Sequence, residues 1–150
     1  MRIIIQRVLE ASVSVGGELV SKIGPGLCLL VGIHATDTIA DAQDLARKVL
    51  SLRLFDAAPS TASDAAPKRW AGTVKDGDRS LLVVSQFTLY ARVDKGAKPD
   101  FHGAMAGPKA RILFDAFVEL LRGSFEAGRV QTGAFGQYMA VDIVNDGPVT

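Results

Sequence analysis

The amino-acid sequence predicts an α+β fold, a single domain in which a mixed or antiparallel β-sheet curls toward a barrel and two main helices pack on it. The chain has 150 residues, an ordinary length for one domain with one sizeable core. Strand-like segments fill its first third, and two later segments repeat apolar residues at helical spacing. Hydrophobic residues make up 48% and charged residues 22%, which is typical of a folded globular protein.

Four strands are predicted in the first third, at residues 3–8, 11–15, 18–23 and 27–33. The first and last are apolar runs, as in buried strands, and the second alternates apolar with small polar residues. Gly16-Gly17 supplies a hairpin turn, and Gly24-Pro25-Gly26 interrupts the chain before the fourth strand.

Two amphipathic helices are predicted later in the chain. Asp37 or Thr38 can cap the first, whose apolar positions run from Ile39 to Leu50 at helical spacing. Pro108 suits the first turn of the second helix, and Gly123 can end it. We expect both helices to cover one face of the sheet.

The remaining segments complete one domain, residues 1–150. Residues 57–67 are rich in Ala, Ser, Thr, Asp and Pro without periodicity, which predicts a surface loop insertion at about 57–70. A turn at residues 76–78 precedes a Leu- and Val-rich strand over 80–89, and residues 138–144 alternate as a final strand.

Composition and charge limit which partners and which cellular compartment are expected. A net charge of +1 excludes a globally basic field, so affinity for nucleic acid must come from local clusters of cations. The longest uninterrupted apolar run, residues 27–31, is far too short for a membrane helix, so no membrane partner is expected. The N-terminal apolar patch is too short for a signal peptide, which makes a cytoplasmic location the default. Cys28 is the only cysteine, and its apolar neighbours favour a buried, inert thiol.

Common catalytic machinery is not visible. His34 and His102 lack the spacing of a zinc site, so no metal is expected. Ser85 lies in strand-like sequence and not in a Gly-x-Ser-x-Gly elbow, and residues 103–109 have the wrong spacing for a phosphate-binding loop.

The segment Ser85-Gln86-Phe87-Thr88 places three hydrogen-bonding side chains where a central strand would normally carry apolar ones. One interpretation is a ladder of hydroxyl groups at a sheet edge. The other is the floor of a functional site.

Two motifs carry a family resemblance. Ser85-Gln86-Phe87-Thr88-Leu89 and Asn145-Asp146-Gly147-Pro148-Val149-Thr150 are similar to the two signature motifs of D-aminoacyl-tRNA deacylases. The similarity also covers Gln6-Arg7-Val8 and Thr132-Gly133-Ala134-Phe135-Gly136, in the same order and spacing.

The resemblance implies an activity and a dimer. Members of this family are cytosolic homodimers that hydrolyse the ester joining a D-amino acid to the terminal adenosine of tRNA, and also act on glycine mischarged on tRNA(Ala). No cofactor, metal or DNA partner is implied. In the family a glycine-proline pair, here Gly147 and Pro148, enters the neighbouring subunit's pocket in the cis form and judges handedness, and an arginine, here Arg7, braces it. A solvated charge is the alternative for Arg7.

The resemblance also assigns the pocket. Main-chain N–H groups near Gln86, Phe87 and Thr88 would stabilise the oxyanion as water attacks, with Ser85 in the same motif. Thr88 would position rather than attack, since no base is placed beside it by sequence. Phe135, Gly136 and Met139 are candidates for the adenosine pocket, although Phe135 can equally be core. The candidates for phosphate contacts, whose alternative is solubility, are Arg92, Lys95, Lys98, Lys109 and Arg111.

Some segments differ from the family pattern. The stretch 57–70 replaces a shorter family segment, and Lys98-Pro99-Asp100-Phe101 stands where Arg-Pro-Ser-Phe is common. Two alternatives are a related deacylase with relaxed chirality and a non-catalytic, dimeric RNA-binding domain. Ser85, Phe87 and Asp146 argue against the first alternative. The second predicts decay of residues 85–88 or of Gly147-Pro148, and both are intact.

Overall fold

The computed structural model describes residues 1–57, 68–94 and 96–150. Most of the predicted insertion at 57–70 therefore lies outside the described residues, and so does Lys95. No helix within the described ranges is long and apolar enough to cross a membrane.

The first strand, β1, is one continuous strand, Arg2–Val15, so the expectation of two strands is wrong. Its register against the last strand, β6 (Ala140–Asn145), shifts between Val8 and Glu10. Such a bulge adds one unpaired residue and resets the alternation of side chains, so the sequence looks like two strands separated by a break. Leu9, inside this irregularity, is exposed.

The sheet is mixed, as predicted. Strands β2 (Glu18–Ile23), β3 (Gly26–Gly32) and β6 all pair antiparallel with β1. Strand β4 (Ser80–Ser85) pairs parallel with β3, and the short β5 (Val130–Thr132), which the sequence did not predict, pairs parallel with β4. The strand order is β2-β1-β3-β4-β5.

The sheet curls toward a barrel because its two end strands approach each other. The Ser21 hydroxyl on β2 donates a hydrogen bond to the Thr132 carbonyl on β5 at 2.8 Å. The predicted fold class is therefore confirmed for the single chain.

Helices α1 (Ile39–Ser51) and α2 (Gly107–Ser124) pack on one face of the sheet, as predicted. Leu27, Leu29 and Leu81 of the sheet are fully buried beneath them. Gly123 does not end α2, which continues to Ser124 before Phe125 turns extended.

A second hydrophobic cluster fills the inner, concave side of the curled sheet. It contains Val8, Val13, Val84 and Cys28, with Met139 packed against it. Burial raises the pKa of the Cys28 thiol to about 11, so this sulfur is protonated and inaccessible near neutral pH.

Candidate active site

The motif strand ends earlier than the sequence predicts. The expected strand over 80–89 stops at Ser85, and Phe87–Tyr90 forms a 3₁₀ helix. The Gln86 N–H makes the last bond to the neighbouring strand, donating to the Val31 carbonyl at 2.7 Å. Gly32 then lets the chain fold back onto β3, since a Cβ at Gly32 would lie only 2.9 Å from the Leu89 Cβ. The segment is therefore a strand end followed by a turn, and not a ladder of hydroxyl groups.

A cavity of about 570 Å³ opens at this strand end. Ser85, Gln86 and Phe87 form one wall, and Phe135, Gly136 and Met139 contribute to another. Two groups of predicted site residues, 50 positions apart in the sequence, thus line one pocket. The remaining lining residues are Val84, Phe101, Ala104, Met105, Ala106, Gly107, Ala110, Gln137, Tyr138 and Val141.

Thr88 does not line this cavity. Its side chain is exposed, and its hydroxyl accepts a hydrogen bond from the Gln86 side-chain amide. The Thr88 hydroxyl therefore contacts an amide donor, which cannot take its proton.

Aromatic side chains form much of the pocket wall. Phe87 is 57% exposed and meets Phe101 edge-on, with ring centroids 5.0 Å apart. Phe135 is half-buried against Phe114, at 5.4 Å, and the Arg111 guanidinium carbon lies 5.5 Å from its ring centroid. Phe135 is therefore both a core residue and a wall of the pocket, so the two sequence interpretations are compatible.

Arg7 contacts the C-terminal turn through both its backbone and its side chain. Its N–H donates to the Val149 carbonyl at 2.9 Å, and its carbonyl accepts from the Asp146 N–H at 2.9 Å. Its guanidinium lies 3.0 Å from the Asp146 carboxylate and donates to the Leu54 carbonyl at 2.7 Å. Because the Arg7 side chain is only 15% exposed, it is not a freely solvated charge.

Gly147 and Pro148 form the exposed tip of that turn and are joined by a cis peptide bond. Neither lines the cavity of its own chain. Gly147 has φ +122°, and a Cβ there would lie 2.9 Å from the Val149 side chain and 3.4 Å from the Arg7 guanidinium. Only glycine fits this position without strain.

The cations predicted to contact phosphate are exposed on the surface. Arg92, Lys98, Lys109 and Arg111 all have exposed side chains. Arg111 is paired with Asp115 at 2.7 Å, one turn along α2.

The two histidines lie outside the cavity lining. His34 Nδ1 is 2.9 Å from the Thr36 hydroxyl, and His102 Nδ1 is 2.6 Å from the Asp100 carboxylate. Hydrogen bonds from the backbone and side chain of His102 lower the pKa of Asp100. Across residues 1–57, 68–94 and 96–150, no three His, Cys, Asp or Glu side chains converge as metal ligands would.

Sequence reasoning missed Phe101, Met105 and Tyr138 as pocket residues. Phe101 and Met105 lie in the loop before α2, and the backbone pairing of Met105 with Ile33 at 2.9 Å, which brings this loop to the sheet, has no local signal. Tyr138 could have been predicted, because it is an aromatic residue between the predicted pocket residues Gly136 and Met139.

Comparisons with known proteins identify the family of this chain. The family model described as D-Tyr-tRNA(Tyr) deacylase matches residues 4–150. A D-aminoacyl-tRNA deacylase of Drosophila melanogaster is 52% identical over the whole chain, which spans 89% of that relative. One from Schizosaccharomyces pombe is 46% identical over the whole chain, which spans 95% of it.

A solved structure titled "c-Myc DNA Unwinding Element Binding Protein" superimposes with a TM-score of 0.89 at 44% identity, covering 99% of this chain and 95% of that one. The DNA partner in that title belongs to that protein. The family model and the deacylase relatives, which extend over the full chain, name one activity. The chain belongs to the D-Tyr-tRNA(Tyr) deacylase family and hydrolyses the ester of D-aminoacyl-tRNA.

Proposed function

We propose that the cavity beside Ser85, Gln86 and Phe87 holds the aminoacyl ester and that this enzyme proofreads chirality during translation. The observation that carries the proposal is the convergence of the motif strand end with Phe135, Gly136 and Met139 on one pocket. One wall is then available for the ester and another for the terminal adenosine.

The oxyanion is held by a main-chain donor. The Gln86 N–H is already bonded to the Val31 carbonyl, so it is not free for the substrate. The N–H groups of Phe87 and Thr88 begin a 3₁₀ helix and have no partner inside it. Phe87 lines the cavity and Thr88 does not, so we assign the Phe87 N–H to the developing negative charge. Loss of such a donor typically costs on the order of 3 kcal/mol of activation free energy.

The Thr88 side chain positions the Gln86 amide and is not a nucleophile. The contact between its hydroxyl and that amide supports this role, because an amide cannot act as a general base. Water is then the attacking group, and the adenosine 2′-hydroxyl beside the ester assists it.

Handedness is judged by Gly147 and Pro148 of a partner subunit in a homodimer. The exposed turn does not line its own chain's cavity. Arg7 holds it through backbone hydrogen bonds to Val149 and Asp146 and an ion pair with Asp146. Main-chain oxygens of the turn hold the substrate's α-ammonium and leave no volume where an L side chain would point. Glycine has no side chain to exclude, so glycine mischarged on tRNA(Ala) is also a substrate.

The adenosine lies against Phe135, Gly136 and Met139, and phosphates of the tRNA meet the surface cations. Base stacking on an aromatic ring is common in RNA recognition, and Phe135 is held by Phe114 on the core side. Arg92, Lys98, Lys109 and Arg111, with Lys95 from outside the described residues, contact the phosphates. We place the protein in the cytoplasm, where aminoacylated tRNA is used.

Comparison of D-tyrosyl-tRNA with L-tyrosyl-tRNA tests the proposal, using the protein and its Pro148→Ala variant. We expect the wild type to hydrolyse the D ester at least about 100-fold faster than the L ester, a difference of roughly 3 kcal/mol in transition-state free energy. The Pro148→Ala variant should lose either the rate or this preference. Equal wild-type rates on both esters would remove the role in chirality.

A further inference from the structure

Tyr138 is the most exposed large hydrophobic side chain among the described residues, with 95% of its surface accessible. It nevertheless lines the same cavity as Phe87. A bare aromatic ring of this size at the edge of a functional pocket usually has a partner.

The backbone around Tyr138 is organised so that the ring points outward. The Gln137 N–H donates to the Ala134 carbonyl at 3.2 Å, and Gly136 between them has φ +76°. Met139, the next residue, is packed inward against the second hydrophobic cluster. A Cβ at Gly133 would lie 2.8 Å from the Met139 sulfur, so the inward side is closely filled. The Tyr138 ring is thus held outward at the mouth of the cavity by a close turn.

Because Tyr138 lines the cavity and is almost fully exposed, its ring lies where the tRNA strand can enter the pocket. With the ester beside Ser85 and the adenosine against Phe135, the next nucleotide of the tRNA lies outside the cavity mouth. Single-stranded nucleic acid is commonly held by stacking of its bases on exposed aromatic side chains.

We propose that Tyr138 is a stacking platform for the base of the penultimate nucleotide of the tRNA 3′ end. This inference rests on the proposed function, because it requires the terminal adenosine to occupy the pocket. The ring adds affinity for the polynucleotide and takes no part in ester cleavage.

A second copy of this chain is the other partner that would cover such a ring. The position of Tyr138 favours the nucleic acid, because the ring lines the cavity that we assign to the terminal adenosine. No hydrogen bond involving the Tyr138 hydroxyl exists within the described part of the chain, so both ring faces and the hydroxyl are available to a base. The oligomeric state of the variants distinguishes the two partners.

The experiment compares two substrates that differ only beyond the terminal nucleoside. D-tyrosyl-tRNA carries the penultimate base, whereas D-tyrosyl-adenosine lacks it. Tyr138→Ala should raise KM for D-tyrosyl-tRNA roughly 5- to 150-fold, the range expected from loss of one base–aromatic stack, with little change in kcat. On D-tyrosyl-adenosine the same variant should match the wild type in both parameters.

Two further variants sharpen the comparison. Tyr138→Phe keeps the ring, so its KM for D-tyrosyl-tRNA should stay close to that of the wild type. Leu19→Ala removes another exposed apolar side chain, which is 63% accessible and lies on the β1–β2 hairpin. It should change neither KM nor kcat on either substrate. An acylated trinucleotide with an abasic penultimate position should show no further loss when Tyr138 is replaced.

Several outcomes would overturn the proposal. Equal losses on both substrates would place Tyr138 in the nucleoside pocket. A Tyr138→Ala variant that elutes as a monomer in size-exclusion chromatography, where the wild type elutes as a dimer, would make Tyr138 a subunit contact. If the wild type cleaves the acylated trinucleotide equally well with and without its penultimate base, there is no stack to lose. Wild-type failure on D-tyrosyl-adenosine together with unaltered cleavage of D-tyrosyl-tRNA by Phe135→Ala would instead refute the assignment of the pocket, and the stacking proposal with it.

Discussion

Arg7 connects the motif at the start of the chain with the motif at its end. One face of its guanidinium lies 5.9 Å from the Phe55 ring centroid, and the Trp70 centroid is equally distant. Its donors are divided between Asp146 and the Leu54 carbonyl. A planar fork of donors suits this division, and a single ammonium group does not.

Replacement of Arg7 by lysine should therefore weaken the turn while keeping the charge. We expect the free energy of unfolding to fall by about 1–3 kcal/mol, because a hydrogen bond to a charged group is lost in a largely buried place. Deacylation of D-tyrosyl-tRNA should fall by about 10-fold or more, since the turn loses its support. Urea unfolding and steady-state kinetics measure both quantities.

Lys22→Gln is the matched control for Arg7→Lys. Lys22 forms an ion pair with Glu10 at 3.0 Å on the same sheet, but both side chains are about half exposed. Such pairs contribute about 0–1 kcal/mol, so stability and activity should stay close to wild type. If both variants behave alike, the fork of Arg7 has no special role.

Thr88→Ala tests the assignment of Thr88 as a positioning residue. Loss of one hydrogen bond, worth about 0.5–1.5 kcal/mol, should reduce kcat only about 2- to 13-fold. Loss of an essential nucleophile would remove nearly all activity. Single-turnover deacylation, with circular dichroism as a check of folding, measures the difference; complete inactivity of a folded variant would make Thr88 the nucleophile.

At the level of residues, the motifs predicted part of the cavity lining but not how each donor is used. Ser85 and Phe135 were predicted by motif, and they line one cavity. That the Gln86 N–H is occupied follows from its bond to Val31, which depends on the parallel pairing of β3 and β4. Parallel pairing is a long-range event with no local pattern.

The start of α1 shows how an element is stabilised by its own first turn. Both the N–H and the hydroxyl of Thr38 donate to the Asp41 carboxylate, at 2.7 and 2.8 Å. These bonds, the side-chain one first, lower the pKa of Asp41 from its usual 3.8. The carboxylate therefore stabilises the helix start only while it is ionised.

Asp41→Asn should change the dependence of stability on pH. A lowered pKa in the folded state means that the stabilisation is complete above the unfolded pKa, near 4, and is lost as pH falls through the folded value. The wild type should lose more stability than Asp41→Asn between about pH 5 and pH 2. Thr38→Ala, which keeps the carboxylate but removes one donor, should lie between them in urea titrations. Parallel profiles for all three proteins would show that this cap does not contribute.

At the level of elements, periodicity predicted both helices but misplaced several strands. The bulge in β1 divides one strand into two apparent ones, because it shifts the phase of the alternation between Val8 and Glu10. The motif strand looked longer because a 3₁₀ helix with apolar residues resembles a strand over four positions. Three-residue β5 has no pattern of its own and is defined by its pairing with β4.

For the whole molecule, subunit mixing tests the proposal that the Gly147-Pro148 turn acts in the partner's pocket. Pro148→Ala damages the turn and leaves the pocket intact, whereas Ala106→Trp places an indole at the pocket and leaves the turn intact. Random exchange of equal amounts should yield about one quarter of the wild-type activity, because half of the dimers are mixed and each contains one complete site.

The mixing experiment needs each variant to be inactive alone and dimeric by size-exclusion chromatography. Activity no greater than the sum of the separate variants, despite mixed dimers detected by mass, would place the turn in its own subunit's site. A monomeric wild type would contradict the homodimer directly.

At this scale, the sequence predicted the class of fold because the two faces of the sheet are encoded by local apolar patterns. Local patterns do not encode where the curl closes, because Ser21 meets Thr132, which is 111 positions along the chain. Whether two chains associate is likewise a property of surfaces and not of periodicity.

Strand β1 pairs with three other strands and contributes to both hydrophobic clusters. Its backbone at Arg7 holds the C-terminal turn on both sides. A turn attached only to a flexible loop would change its position, and a displacement of about 1 Å would weaken the discrimination between D and L substrates. The turn that we propose as the selector is bonded instead to the strand with the most sheet partners, so we expect the discrimination between D and L esters to persist on warming until the sheet itself unfolds.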